Sequence, residues 1–395
     1  MEKIEFYRHH LEEEDKAKVR EVLDSLFLTT GNVTADFEKK FSEYTGLPSV
    51  VGLTSCTAAL HLSLLALGIG PGDEVITTPM TFLATATAIL HTGAKPVFAD
   101  VEPETGLIDP FQVEKAITSR TRAILPVHLY GTMADMKSLS RIAKKHHLKI
   151  IEDCAHCIEG ERDGIRPGGL GDIACYSFYA TKNLTSGEGG AIATRDETLA
   201  KKIRSLRLHG MTSDAASRYH GLYKHYDMEL LGWKYNMDNI HAALLVTQIQ
   251  RLERYWQERD RLAQLYEKRL EEIPGVRLPK VTGKSARHLQ TFWVEEDRRE
   301  LVLQQMQERG IGVAVNYRAM HTLQYFRATF GFQPSDYPIA LRIGLQTISL
   351  PLYPKLGEAA LNYVMDCLRE IMTESRLKAA PPELKRGQVG NLGAL

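Results

Sequence analysis

From about residue 50 the chain alternates short apolar runs with helix-length amphipathic segments. The short runs are rich in β-branched residues, which is typical of strands buried on both faces. They are Ser49–Leu53, Glu74–Thr78, Pro96–Ala99, Ala123–Val127 and Lys149–Glu152. The segments between them have helical spacing of apolar positions and are Thr57–Leu67, Phe82–Thr92, Pro110–Ile117 and Met136–Lys145. This alternation predicts an α/β fold with a mostly parallel sheet covered by helices on both faces.

After Ser177 the regular alternation of predicted strands and helices changes. A Gly-rich loop at Ser186–Gly190 precedes another strand at Ala191–Thr194, and a helix starts near Asp196. A long helical stretch then covers Asp238–Glu272, with apolar residues at helical spacing and a dense charged face. Such a helix is typical of a connection between two domains.

The C-terminal part predicts a smaller α+β domain. Its elements are a strand at Thr291–Val294, a helix at Arg299–Arg309, a strand at Val313–Tyr317 and a helix at Gly357–Met372. We therefore expect a large domain in residues 1–250 and a smaller one in residues 251–375. Residues 376–395 are rich in Pro and Gly and poor in apolar side chains, which predicts a flexible tail or an extended arm.

Composition narrows the classes of partner. The chain has 395 residues with 49 basic and 49 acidic side chains, and the basic ones are dispersed. This distribution argues against a nucleic-acid or membrane-surface partner. We see no secretory signal and no run near the roughly 20 apolar residues that span a bilayer, so we expect a cytoplasmic protein.

Five cysteines in a chain without export signals are expected to be reduced thiols. Cys154 and Cys157 form a C-x-x-C pair, but no second pair follows. The pair therefore favours buried, inert cysteines over a zinc site or dithiol chemistry, and we expect no metal.

Polar residues follow several predicted strands, at the edge where ligands bind in parallel sheets. The segment Thr54–Leu60 places Ser55, Cys56 and Thr57 between a strand and a helix. Free N–H groups and the positive dipole at the start of that helix suit an anion such as a phosphate. The same residues also suit an ordinary N-cap, and the segment alone favours that alternative.

Two carboxylates, Glu152 and Asp153, end a predicted strand, and His156 follows three residues later. Burying a carboxylate at the end of a strand costs free energy unless a cation lies next to it. A bound cation, a protonated heterocycle or a buried arginine would supply that charge. Alternatively, Asp153 caps a following helix, and the residues alone do not separate the two.

A lysine stands in the segment Ser177–Asn183, just before the turn Gly187–Gly190. Apolar and small residues flank Lys182, although lysines on loops are generally solvated. Burial would lower its pKa, and the neutral amine could then attack a carbonyl to form a Schiff base. A fourth segment, Leu231–Met237, places polar side chains just before the long helix, where an ordinary loop is the alternative.

Together these segments resemble the DegT/DnrJ/StrS family of sugar aminotransferases, which depend on pyridoxal 5'-phosphate (PLP). Asp153 with His156, the SFYATKN segment that contains Lys182, the GEGG turn and the GWKYNM segment carry the resemblance. It covers most of the chain in order. GWKYNM, with RAMHT at residues 318–322, is most similar to the branch that aminates a UDP-4-keto-pentose on the route to 4-amino-4-deoxy-L-arabinose.

The resemblance implies an aspartate aminotransferase-type fold (PLP fold type I), whose large domain has a mostly parallel seven-stranded sheet. It implies two catalytic residues: Lys182, which holds PLP as a Schiff base, and Asp153, which binds the pyridine nitrogen. His156 is implied to approach the ring hydroxyl, and Phe82 falls where family members stack an aromatic ring on the cofactor. The implied phosphate contacts are Ser55, Cys56, Thr57 and Ser177, with Asn236 of the neighbouring subunit in a homodimer that shares its active sites.

The implied reaction moves an amino group from glutamate to the 4-keto carbon of a nucleotide-linked sugar in a ping-pong cycle, with 2-oxoglutarate as the other product. The expected substrate contacts are Thr30, Lys234, Arg318 and His321. Many family members carry His at the position of Asn316, so the resemblance does not determine the details of the sugar pocket. The alternative with the same cofactor site is a 3-keto-sugar or keto-cyclitol aminotransferase. The alternative from a different functional class is a regulator that binds PLP but does not catalyse turnover.

Overall fold

The structure is a computed structural model that describes residues 3–212 and 225–379, without the side chains of residues 374–379. Of the predicted tail, residues 380–395 lie outside the described residues, and residues 376–379 belong to the last helix. None of the helices described in these two ranges has the length and apolar content needed to cross a membrane.

Apart from the strand at Val313–Tyr317, the predicted helices and strands are present in the predicted order, and most of their ends are shifted by three residues or fewer. The helices are α1 Glu13–Leu23, α2 Asn32–Thr45, α3 Cys56–Ala66, α4 Leu83–His91, α5 Pro110–Lys115, α6 Met136–His146, α7 Glu197–Leu206, α8 Asn239–Gln248, α9 Leu252–Glu271, α10 Glu296–Glu308, α11 Gln324–Phe330, α12 Pro338–Gln346 and α13 Glu358–Ala379. The strands are β1 Ser49–Leu53, β2 Glu74–Thr77, β3 Lys95–Phe98, β4 Thr121–Leu125, β5 Lys149–Asp153, β6 Ile173–Ser177, β7 Gly190–Thr194, β8 Gln290–Trp293 and β9 Thr347–Leu350.

The first seven strands form one sheet in the order β1-β7-β6-β5-β4-β2-β3. Strand β7 runs antiparallel to its two neighbours, β1 and β6. The other four neighbouring pairs are parallel. The predicted α/β fold with a mostly parallel seven-stranded sheet is therefore confirmed.

Adjacent residues of the central strands enter different cores, which explains why these strands lack polar alternation. Ile151 packs with α3 and α7 on one face of the sheet. Its neighbour Ile150 packs with α6 on the other face. Because successive strand residues point to opposite faces, a strand covered by helices on both sides needs apolar residues throughout.

The sequence pattern did not predict strand β6. This strand explains why the alternation of strands and helices changes after Ser177. Its five residues are all buried and follow a Gly-rich stretch without a preceding helix. The connection from β6 to β7 spans residues 178–189 and contains no helix. Such a connection returns the chain antiparallel rather than parallel, and it begins at the carboxyl edge of the sheet.

A second sheet pairs β8 with β9 in antiparallel register. The strand predicted at Val313–Tyr317 is wrong, because only Ala314 of that stretch pairs, in an isolated bridge to Ser349. The place beside β8 is taken by Thr347–Leu350, whose residues are all buried, whereas the stretch 313–317 is only half-buried.

The long helix predicted at Asp238–Glu272 is divided into α8 and α9 by a 3₁₀ turn at Ile249–Arg251. Leu245 on α8 packs in the core that lies on the large sheet. Leu262 on α9 packs in a separate core with β8, β9 and α13. The two halves of this helical run therefore serve different cores, while the domain boundary at residue 250 stays a prediction.

Candidate active site

A cavity of about 520 Å³ lies at the carboxyl edge of the large sheet. Its volume is within the range of about 300–1,000 Å³ typical of small-molecule sites. It is lined by residues that follow β1, β2, β5 and β6, by residues from the C-terminal part, and by Phe6 and Tyr7 near the N-terminus. The cofactor residues expected from the sequence that line it are Ser55, Cys56, Thr57, Phe82, Asp153, His156, Ser177 and Lys182.

Asp153 ends β5 and is buried at the cavity. Its Oδ1 accepts a hydrogen bond from the Ala155 N–H (3.1 Å), and its Oδ2 accepts one from the Thr85 hydroxyl (2.8 Å). Burial raises the pKa of the Asp153 carboxyl, while these two hydrogen bonds and the charge of Lys182 lower it. No helix begins among residues 154–160, so the helix-cap alternative for Asp153 is wrong.

Thr85 is itself oriented by the hydroxyl of Thr81, at 2.8 Å. Because the Thr85 hydroxyl donates its hydrogen bond to Asp153, the Thr85 oxygen accepts the hydrogen bond from the Thr81 hydroxyl. The carboxylate is thus held in one orientation by two groups, with a side left for a ligand. A cation placed there would relieve the cost of burying this charge.

Lys182 lies on the connection from β6 to β7 and reaches the same cavity. Burial lowers the pKa of its amine to about 8, against the charges of Asp153 and Cys56, which raise it. An amine with this pKa is partly neutral near physiological pH, which a nucleophile or a general base requires.

The start of α3 lines the cavity with Ser55, Cys56 and Thr57, which we call the α3 cup. Ser55 is the N-cap of α3, and its Oγ accepts a hydrogen bond from the Ala58 N–H (3.0 Å). The capping role considered from the sequence is therefore real, and it leaves the first N–H groups of the helix near the cavity, where an anion binds favourably. Gly190 approaches this cup so closely that a Cβ there would overlap the backbone of Ser55 and Cys56.

Aromatic and imidazole rings also line the cavity. The His156 Nε2 lies 3.0 Å from the hydroxyl oxygen of Tyr317, and its Nδ1 is buried without a partner. Burial, with the charge of Lys182, lowers the pKa of His156 well below its usual value. Phe82 is 56% exposed, and its ring centroid lies 5.9 Å from that of Tyr317. An aromatic ring this exposed beside a cavity offers a surface on which a ligand ring can stack.

Asn236, Thr30 and Lys234 do not line this cavity and form a cluster of their own. The Asn236 amide donates to the Thr30 hydroxyl (2.6 Å) and accepts from the Lys234 amine (2.7 Å). Thr30 and Asn236 line a separate groove that also contains Arg207. Their roles as phosphate and substrate contacts stay predictions.

Arg318 and His321 are also outside the cavity. Arg318 lines a surface cleft with Thr322 and Arg327. His321 is fully buried, with its Nε2 3.1 Å from the carbonyl oxygen of Pro334. Neither side chain lines the cavity in this chain, and the roles of Arg318 and His321 as substrate contacts stay predictions.

The C-x-x-C pair has local partners. The Cys154 thiol donates to the Glu152 carbonyl and the Cys157 thiol to the Gly131 carbonyl. The Glu152 carboxylate, which points away from Asp153 because adjacent strand residues face opposite sides, is bonded to His128 and to the Gly168 and Gly171 N–H groups. His128, Glu152 and Cys154 lie close enough to bind a metal, but their polar atoms already serve this structural network.

Several residues that complete the site were missed from the sequence. Thr85 lies in the first turn of α4, where a threonine gives no signal, and His288 and Tyr317 come from the distant C-terminal part. The rule that ligands lie beyond strand ends points to Asp153 and Lys182, but it does not identify side chains that helices or distant segments contribute.

The residues present fit PLP. A buried carboxylate suits a protonated ring nitrogen, the N-terminus of α3 suits a phosphate, Lys182 suits the aldehyde, and the unpartnered Nδ1 of His156 is available to a polar ring substituent. The fold and this site together define the class of fold type I PLP-dependent aminotransferases.

The chain belongs to the DegT/DnrJ/EryC1/StrS aminotransferase family, whose model matches residues 9–369. It is 41% identical over 368 residues to the spore coat polysaccharide biosynthesis protein SpsC of Bacillus subtilis, covering 91% of this chain and 94% of SpsC. The PLP form of Spr1654 from Streptococcus pneumoniae superimposes with a TM-score of 0.88 at 30% identity, covering 94% of this chain and 99% of that one. The S. venezuelae protein DesV, solved with a ketimine intermediate, has a TM-score of 0.86 at 34% identity, with coverages of 94% and 99%. The chain is therefore a PLP-dependent sugar aminotransferase.

Replacing Gly190 by Ala is expected to weaken PLP binding at least about tenfold and to cost about 1–3 kcal/mol of stability, because the added methyl group displaces the backbone of the α3 cup. PLP titration of the apoprotein and thermal unfolding measure the two effects. Gly70→Ala is the matched control, since its Cβ would meet only the Thr92 carbonyl oxygen at 3.7 Å. Equal PLP affinity in the two variants would contradict the role of Gly190.

Proposed function

We propose that this sugar aminotransferase transfers an amino group from glutamate to the 4-keto carbon of a nucleotide-linked sugar. The observation that supports it most is the convergence of Lys182, Asp153 and the α3 cup on one cavity. The 4-keto position is supported by the similarity of the GWKYNM and RAMHT segments to the branch that aminates a UDP-4-keto-pentose.

When bound, PLP supplies an aldehyde that accepts the amino group and a protonated ring that stabilises negative charge next to the reacting carbon. Asp153 keeps the proton on the ring nitrogen through a charge-assisted hydrogen bond of about 1.5–3 kcal/mol, and Thr85 fixes the orientation of the carboxylate. Phe82 orients the ring plane. Lys182 would have two roles: its amine would hold the aldehyde of the cofactor, and as a free amine it would take the proton from the α-carbon of the donor.

We also propose a homodimer in which Asn236 of the partner subunit completes the phosphate site. Within one chain, Asn236 lies with Thr30 and Lys234 away from the cavity. Leu231 in the same segment is 74% exposed, and exposed apolar side chains near a groove favour a contact with a second subunit.

Lys182→Ala is expected to lose the long-wavelength absorption of lysine-bound PLP and all measurable transamination, because the methyl group cannot attach the cofactor or take up a proton. Absorption spectra after incubation with PLP and the glutamate half-reaction measure both losses. Lys182→Arg tests whether charge alone suffices, and Lys145→Ala, at a side chain that is 67% exposed, is the matched control. Retained absorption in Lys182→Ala would exclude this lysine as the attachment site.

Capture of PLP by the apoprotein should accelerate with rising pH and level off above a midpoint of about 8. The sign follows because burial lowers the pKa of Lys182: the neutral amine dominates above about 8 and falls about tenfold per pH unit below it. Stopped-flow absorbance measures the rate, with Nα-acetyl-lysine as the reference amine. A rate that keeps rising to pH 10, as for the reference, would contradict the lowered pKa.

A panel of keto-sugars separates the substrate alternatives. The PLP enzyme is converted to its amino form with glutamate, and UDP- and dTDP-linked 4-keto-sugars, 3-keto-sugars and a keto-cyclitol are then added in turn. We expect the 4-keto-sugars to restore the PLP spectrum with kcat/KM at least about tenfold above the others. A preference for a 3-keto-sugar or keto-cyclitol would replace the proposed substrate, and the lack of any transfer, even from glutamate, would favour a regulator.

A further inference from the structure

His288 stands immediately before β8 and reaches the cavity from the C-terminal side. Its imidazole is buried, and its Nε2 lies 3.5 Å from the Nζ of Lys182, at the limit of a hydrogen bond. Its other ring nitrogen, Nδ1, lies 3.2 Å from the Oδ1 of Asn183. One imidazole therefore connects the amine of Lys182 to the side chain of the next residue in the chain.

The orientation of the Asn183 amide is determined by two acceptors. Its Nδ2 donates to the Glu159 carboxylate (2.9 Å) and to the Ala286 carbonyl (2.8 Å). A flipped amide would place an oxygen against both of these acceptors, so the amide oxygen must face His288. Glu159 is itself held by Arg259 in a fully buried ion pair, at 2.5 Å.

This orientation fixes the tautomer of His288. The Asn183 oxygen can only accept, so the proton of the neutral imidazole is on Nδ1. The Nε2 then carries a lone pair, and that lone pair faces Lys182. The charged and titratable groups near the ring are Lys182, His156 with its ring centroid at 4.4 Å, and Arg259. Burial and these three groups lower the pKa of His288 well below its usual value, so the imidazole stays neutral.

We propose that His288 is a positioning residue for transamination: its Nε2 accepts a hydrogen bond from the Lys182 amine, and Asn183, anchored by Glu159 and Arg259, holds His288 in the tautomer that can do so. The proposal rests on the assignment of Lys182 under the proposed function, but it does not depend on which sugar is accepted. It gives the freed amine one fixed direction after a substrate displaces it.

The test compares two amides of equal polarity at position 288. In His288→Gln the side-chain oxygen can reach the place of Nε2, whereas in His288→Asn it stops near the place of Nδ1. Acetic anhydride labels the apoprotein over a range of pH, and mass spectrometry of the Lys182 peptide gives the titration midpoint of the amine without bound PLP or any substrate. The kcat and KM of the glutamate reaction are measured in parallel.

We expect His288→Gln to keep the wild-type labelling midpoint. In His288→Asn the midpoint should move to lower pH by about half a unit or more, because a lost acceptor no longer stabilises the ammonium form. The kcat of His288→Asn should fall about tenfold to a hundredfold with little change in KM, since only the placement of the reacting amine is altered. His61→Gln, at a buried histidine that does not line the cavity, controls for the loss of a buried imidazole.

Unfolding temperatures accompany every variant, and His288→Met replaces His288→Asn as the acceptor-free variant if the latter does not fold. Identical midpoints in the Gln and acceptor-free variants would overturn the proposal, whether both match the wild type or both shift. Because labelling uses apoprotein, such a result is distinct from a failure of the Lys182 assignment, which would appear as retained PLP absorption in Lys182→Ala.

Discussion

The desolvation of a carboxylate and an amine in the same cavity is the constraint on which the rest of the site depends. Burial raises the pKa of Asp153 and lowers that of Lys182, so each group is driven toward its neutral form, while their opposite charges partly restore ionisation. A ligand with a cationic ring nitrogen stabilises the carboxylate, and a ligand with an aldehyde uses the neutral amine. A single cofactor that carries both a cationic ring nitrogen and an aldehyde therefore suits both buried groups.

The fold brings these groups together through the direction of its strands. Asp153 ends a parallel strand, and Lys182 lies on the short connection that follows the next strand and returns antiparallel. That return brings Gly190 against the start of α3, so the loop that carries Lys182 and the α3 cup form on neighbouring strands. The C-terminal part closes the cavity with Tyr317 and His288.

Local patterns in the sequence predict most of the large sheet, because strands buried on both faces need continuous apolar runs. They fail at β6, a five-residue strand between loops, and at Val313–Tyr317, where only Ala314 pairs, in an isolated bridge, and the last two residues line the cavity. The site residues at strand ends are predictable because ligands bind beyond the carboxyl ends of parallel strands. The contributions of Thr85, His288 and Tyr317 are not, since they depend on how distant segments pack. The burial of His321 is equally invisible in its local sequence.

The most direct test of the central claim is to treat the PLP-loaded protein with borohydride, digest it and locate the fixed cofactor by mass spectrometry. We expect the added phosphopyridoxyl mass on the peptide that contains Lys182. Its presence on another lysine, or its absence from every peptide, would contradict the assignment of Lys182 as the attachment site.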